Sequence, residues 1–92
     1  MRVTVHLFAR LRELAGRGDL SVDAAAGATI RDVWKIVAAA HPALAPFESS
    51  VSCAQNEDFA RMSAIVKDND AIAFLPPVSG GTVRTSRRAR QN

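Results

Sequence analysis

The chain opens in strict alternation. Val3, Val5 and Leu7 are apolar, and Arg2, Thr4 and His6 between them are polar, which predicts a half-buried strand over residues 2–8. The period then changes. Phe8, Leu11, Leu14 and Ala15 fall on one helical face with Arg10, Arg12 and Glu13 opposite, and Gly16 and Gly18 end this short helix. Leu20-Ser21-Val22 alternates briefly and predicts a second strand returning beside the first. Residues 24–28, with Gly27, read as a loop. Thr29 is placed as an N-cap, with Asp32 at N3 to bond back and to favour the positive end of the helix dipole. Ile30, Val33, Trp34, Val37 and Ala38 then recur at i, i+3, i+4, i+7 and i+8, the clearest helix in the chain. Pro42 stops it, leaving His41 as the last residue that fits.

Residues 43–50 read as a loop containing Pro46. Val51 to Gln55 is a strand candidate and Asn56-Glu57-Asp58 a polar turn. Residues 59–65 fit two patterns, since Phe59, Met62 and Ile65 suit one helical turn or a short irregular strand. Asp68-Asn69-Asp70 is a tight turn. Ala71 to Leu75 is a continuous apolar run, which suits a strand buried in mid-sheet. The single apolar face of the long helix needs a sheet to cover. The expected fold is therefore α+β: a mixed sheet of four to five strands around one main helix, with the last strand parallel to the first and reached by crossover. That is the ubiquitin-like β-grasp plan.

Composition narrows the class. Ninety-two residues hold one domain with one modest core, and aromatics are scarce, with four Phe, one Trp and no Tyr. The formal charge is +3, but it is unevenly placed. Arg84, Arg87, Arg88 and Arg90 follow Gly81 and no acid does, so residues 1–81 carry 8 basic and 9 acidic side chains. The chain divides into a near-neutral folded body, 1–81, and a basic extension, 82–92, expected to be disordered. A near-neutral body excludes the basic footprint of a nucleic-acid binder. Cys53 is the single cysteine, which allows no internal disulfide and suits a reducing compartment. No apolar run is long enough to span a bilayer, and Met1-Arg2-Val3-Thr4 lacks a signal peptide's apolar core. The expected location is cytoplasmic, with no membrane partner.

Side-chain chemistry is sparse. His6 and His41 stand on different elements without metal-ligand spacing and read as surface histidines, so no metal site is expected. Cys53 alternates into a strand as a small buried hydrophobe. Ser49, Ser50 and Ser52 have no His–acid framework beside them. Gly80-Gly81 lacks the Lys and helix of a phosphate loop. What remains is main-chain. Phe74-Leu75 closes a strand, Pro76-Pro77 stiffens the backbone, and Val78-Ser79-Gly80-Gly81 thins to bare backbone that could enter a narrow slot. A chain ending at Gly81 would present an unhindered α-carboxylate. A partner could adenylate it with ATP, sulfide could displace AMP, and the resulting thiocarboxylate would be a good nucleophile.

Two blocks resemble a known family. Val5-His6-Leu7-Phe8-Ala9-Arg10-Leu11-Arg12-Glu13-Leu14-Ala15-Gly16 is similar to the opening of molybdopterin synthase small subunits. Ala28-Thr29-Ile30-Arg31-Asp32-Val33 and His41-Pro42 resemble the limits of their main helix. Asp68 to Gly81 resembles their closing segment and functional terminus. The resemblance covers residues 3–81. It implies a β-grasp sulfur carrier without active-site side chains or bound cofactors of its own. Gly81 would become the thiocarboxylate, activated with ATP by a ubiquitin-activating-type adenylyltransferase, and Gly80 would thread the channel. Phe74, Leu75, Pro76, Pro77 and Val78 would dock on the large subunit, which uses the sulfur to build the molybdopterin dithiolene from cyclic pyranopterin monophosphate. The implied assembly is a heterotetramer with the large subunits at its centre.

Two departures stand out. The family commonly has Asn-Gly near residue 56, whereas Glu57 follows Asn56 here, and Glu is disfavoured at positive φ. The chain also continues from Thr82 to Asn92, and an amide-bonded glycine cannot be adenylated. Either a processing protease removes residues 82–92, which is the expectation, or the chain is inactive as a carrier, or the extension is a binding appendage. The alternatives are a thiamine-pathway sulfur carrier, which typically lacks Leu7-Phe8-Ala9-Arg10 and Pro76-Pro77, and a ubiquitin-like modifier or binding module.

Overall fold

The computed structural model describes residues 1–77. Strand β1 (Arg2–Leu7) leads into helix α1 (Ala9–Ala15) and returns as β2 (Asp19–Asp23). Helix α2 (Ile30–Ala40) follows, then β3 (Ser52–Gln55), β4 (Asp58–Ala60) and β5 (Ala71–Leu75). The five strands form one sheet in the order β2-β1-β5-β3-β4. β5 pairs in parallel with β1, Val5 opposite Ile72, and antiparallel with β3, Cys53 opposite Phe74. The last strand is therefore central, as its unbroken apolar run predicts, and the arrangement is the ubiquitin-like β-grasp.

One face of the sheet and one face of α2 make the core. Val3, Val5 and Leu7 of β1, Ile72 and Phe74 of β5, Cys53 of β3 and Val22 of β2 meet Ile30, Val33, Trp34 and Val37. Trp34 and Phe74 pack edge to face with centroids 4.9 Å apart. The N-terminus of α2 is closed by a reciprocal capping box. The Asp32 N–H donates to Thr29 Oγ1 at 3.2 Å, and the Thr29 N–H donates to Asp32 Oδ2 at 2.9 Å. Hydrogen bonding to Thr29 holds the Asp32 carboxyl below its ordinary range.

Two segments differ from the sequence expectation, and two that it left open are decided. Residues 43–50 are not simply loop: Pro42–Phe47 forms a 3₁₀ helix that buries Leu44 completely. Pro42 and Pro46 preset φ near helical values there, and His41 closes the first bond, accepting from the Leu44 N–H at 2.9 Å. Phe8 does not join the apolar face of α1. It stays extended (φ −119°, ψ 154°), the last outward position of β1's alternation, and is 47% exposed. Of the two patterns open for residues 59–65, the irregular strand holds. β4 lasts three residues, Phe59 is 83% exposed, and Ile65 forms an isolated antiparallel bridge to Thr29. The Asn56-Glu57 hairpin keeps the two-residue geometry with positive φ at both positions, 51° and 77°. Glu57 thus occupies the left-handed region without glycine's freedom.

Candidate functional site

β5 positions the site. It enters the sheet beside a tightly bonded cluster and leaves at the opposite end toward the C-terminus. At its entry, Asp70 is almost fully buried. Its carboxylate accepts from Gln55 Nε2 at 2.7 Å, Asn56 Nδ2 at 2.9 Å and the Lys67 N–H at 2.8 Å. The Asn56 side chain returns the bond by accepting from the Ala71 N–H at 2.9 Å. These donors, the Asn56 amide first, hold the Asp70 carboxyl below its ordinary range. In the sequence this residue reads only as part of a turn.

At the exit, Leu75 and Pro76 are half-buried and Pro77 is exposed. Phe74 is a correction. It was expected to dock on a partner, but its side chain has no exposed surface and its ring lies against Trp34. The parallel register with β1 puts Phe74 beside Leu7 on the core face and leaves Leu75 on the other. Val78, Gly80 and Gly81, the remaining residues expected to dock, thread and react, lie outside the described residues.

The sheet face turned away from α2 supplies what the sequence reading missed. Alternation places Ala71, Ala73 and Leu75 of β5 on that face, and pairing carries it from His6 through Ala73 and Ala54 to Phe59. Its centre is built of alanines, so it is shallow, and Phe59 and Phe8 stand exposed on either side. These exposed rings beside a smooth apolar face make it a candidate interaction surface. Two signals were present in the sequence: Phe8 follows the inward Leu7 and so points outward, and Phe59 can pair across a two-residue turn.

The titratable side chains are arranged for structure. His6 Nδ1 lies 2.7 Å from Asp19 Oδ1 on the neighbouring strand, so this half-buried histidine has a carboxylate partner that sequence spacing did not reveal. At His41 it is the backbone that closes α2, its N–H donating to the Val37 carbonyl at 2.9 Å. Cys53 is buried as expected; its thiol donates to the Ala60 carbonyl at 3.2 Å, and burial pushes its pKa up, away from nucleophilic character. Among the described residues no three His, Cys, Asp or Glu side chains converge as metal ligands, and no helix is long and apolar enough to cross a membrane.

Known proteins share this architecture. The molybdopterin synthase sulfur carrier subunit of Arabidopsis thaliana is 38% identical over 81 residues, 88% of this chain and 84% of that protein. The crystal structure of small archaeal modifier protein 1 from Haloferax volcanii superposes with a TM-score of 0.80 at 30% identity, covering 88% of this chain and all of that one. A chain of the Amycolatopsis orientalis BexX/CysO complex superposes with a TM-score of 0.65 at 29% identity, covering 86% and 99%. Residues 5–81, from the middle of β1 to the second glycine after the prolines, match the ThiS family, and the chain belongs to that family.

Proposed function

We propose that this protein is the sulfur-carrier subunit of molybdopterin synthase, acting through its main chain at Gly81. The observation that carries the reading is the placement of β5. A strand pinned in mid-sheet by β1 and β3 delivers Pro76 and Pro77 to the surface beside an exposed apolar face. The similarity to the Arabidopsis carrier subunit supports the same role.

In this reading a processing protease removes residues 82–92. A ubiquitin-activating-type adenylyltransferase then binds the body and presents ATP to the freed Gly81 carboxylate. The carboxylate attacks the α-phosphate and pyrophosphate leaves. A sulfide-level sulfur displaces AMP from the acyl adenylate to give the thiocarboxylate. On the large subunit that sulfur is transferred to cyclic pyranopterin monophosphate. The related chain found in the BexX/CysO complex supports docking on a second protein. The outer sheet face, with Leu75, Pro76, Phe8 and Phe59, would form the contact, and the mature synthase would be a cytoplasmic heterotetramer. This chain contributes the acyl terminus and its aim; ATP and catalytic side chains belong to the partners.

Mass spectrometry of the protein from cells tests the proposal. The expected result is a species ending at Gly81 with one oxygen replaced by sulfur. Finding full-length chain alone, in cells that make active molybdenum enzymes, overturns it. The likeness to small archaeal modifier protein 1 favours one second reading, in which Gly81 forms isopeptide bonds with lysines of other proteins. Gly81-linked lysine remnants in the same digest would establish that reading.

A further inference from the structure

The charges of the body are sorted along the strand direction, and the sorting is visible only in the fold. At the end where β5 enters, Asp23, Glu57, Asp58, Asp68 and Asp70 outnumber Arg2 and Lys67. The placement follows from pairing. Arg2 opposes Asp23, the Arg2 N–H donates to Asp68, and Gln55 opposes both Asp58 and Ile72. At the exit end the balance reverses: among the described residues Arg10, Arg12, Arg17 and Arg61 face Glu13 and Asp19, while Glu48 is tied to Arg31 at 3.3 Å. α1 begins two residues after Leu7, which pairs with Phe74 and whose N–H donates to the Gly18 carbonyl at 2.7 Å. Arg61 follows Ala60, which pairs with Cys53 opposite that same Phe74.

The arginines therefore flank the exit strand on both sides. Arg10, Arg12 and Arg17 stand on the β1 side and Arg61 on the β4 side, and all four are exposed. Arg12 and Arg17 line one shallow basin with Ala9, Glu13, Gly16 and Gly18. The Arg12 side chain lies over Gly18 so closely that a β-carbon there would sit 3.1 Å from Nε. Arg10 is tied to Glu13 at 3.3 Å, which leaves Arg12, Arg17 and Arg61 to set the field at this end.

We propose that this end is an electrostatic docking rim for an acidic protein surface that frames the adenylation site of the activating partner. The inference rests on the carrier reading, because only a partner that must receive the C-terminal residues gains from having this end presented first. The positive exit end draws the body toward that surface during approach, and such steering acts on the association rate more than on dissociation.

The test uses the full-length chain and a purified ubiquitin-activating-type adenylyltransferase, with association followed by stopped flow. Raising salt from about 20 to about 200 mM should slow wild-type association about tenfold, because the Debye length shortens. Arg61→Glu, and separately Arg12→Glu with Arg17→Glu, should slow association at low salt about as much and flatten the salt dependence. Arg12→Lys with Arg17→Lys should keep the rate, and Asp58→Asn at the entry end should leave it unchanged. Residues 82–92 add four arginines to every variant, so each rate is also measured on the chain ending at Gly81, where the flattening is read. Wild-type rates in Arg61→Glu, which replaces an exposed side chain, would overturn the inference, as would equal and opposite effects of Asp58→Asn. Pyrophosphate release by a chain ending at Gly81 separates the two readings. Adenylation without charge dependence defeats only the rim; charge-dependent docking without adenylation defeats the carrier.

Discussion

The two ends of β5 are built for opposite purposes. At its entry, four hydrogen bonds around Asp70 and Asn56 lock the β3–β4 turn, the 67–70 turn and the start of the strand together. At its exit, the Phe8 N–H donates to the Phe74 carbonyl at 3.3 Å and two prolines follow. Pro76 and Pro77 have no N–H to donate, so neither can extend the ladder. One end holds position and the other ends the ladder. A strand that must aim its successor needs its fixed point behind it, and the fold puts that point at Asp70.

Substitutions separate the ends. The largest effect is expected where the strand crosses the core. Phe74→Ala removes the ring packed on Trp34 and should cost about 3–5 kcal/mol, read as a lowered midpoint in urea. If it instead spared stability and only weakened partner binding, Phe74 would be a docking residue after all. Asp70→Ala leaves the Gln55 and Asn56 amides and the Lys67 N–H without their acceptor and should cost about 1.5–3 kcal/mol by the same measurement. Its pH dependence has a definite sign. The folded pKa is lowered from 3.8, so the stabilisation is fully present above that value and is lost as pH falls through the lowered one. Asp70→Asn should therefore flatten the acid limb of the stability profile; an unchanged limb would assign it to other carboxylates.

A smaller gain is expected beside that cluster. Glu57→Gly relieves a side chain held at φ 77° and should stabilise the hairpin by about 0.5–1 kcal/mol, seen as a raised thermal midpoint. The smallest effects on folding belong to the outer face. Phe59→Ala and Phe8→Ala should each change stability by less than about 0.5 kcal/mol. They should nonetheless weaken association with the large subunit, because exposed aromatics anchor interfaces. Equal binding by wild type and the double variant would move the contact elsewhere. Cys53 offers a control on the core between the two ends: its buried thiol should resist alkylation in the folded protein and react once urea unfolds it.

Much of this architecture was legible in the chain, for local reasons. The alternation of β1 and the 3.6-residue period of α2 repeat apolar side chains toward one face, and that repetition survives in any context. Thr29 and Asp32 stand three residues apart and can satisfy each other's N–H within one turn, so the cap needs no tertiary partner. The apolar run of β5 and the prolines after it name a central strand and its end. What stayed hidden depends on partners distant in sequence. Both faces of Ala71–Leu75 are apolar, so only pairing with β1 and β3 decided that Phe74 turns inward and Leu75 outward; a shift of one residue would exchange them. Asp70 is a turn residue until Gln55 and Asn56, some fifteen positions earlier, arrive beside it. The sorting of charge to the two ends is likewise absent from any stretch of sequence, because it exists only once antiparallel and parallel strands bring Arg61 and α1 to the same end. Local periodicity determined which elements form and which sides they bury; strand register, a long-range choice, determined which residues face a partner.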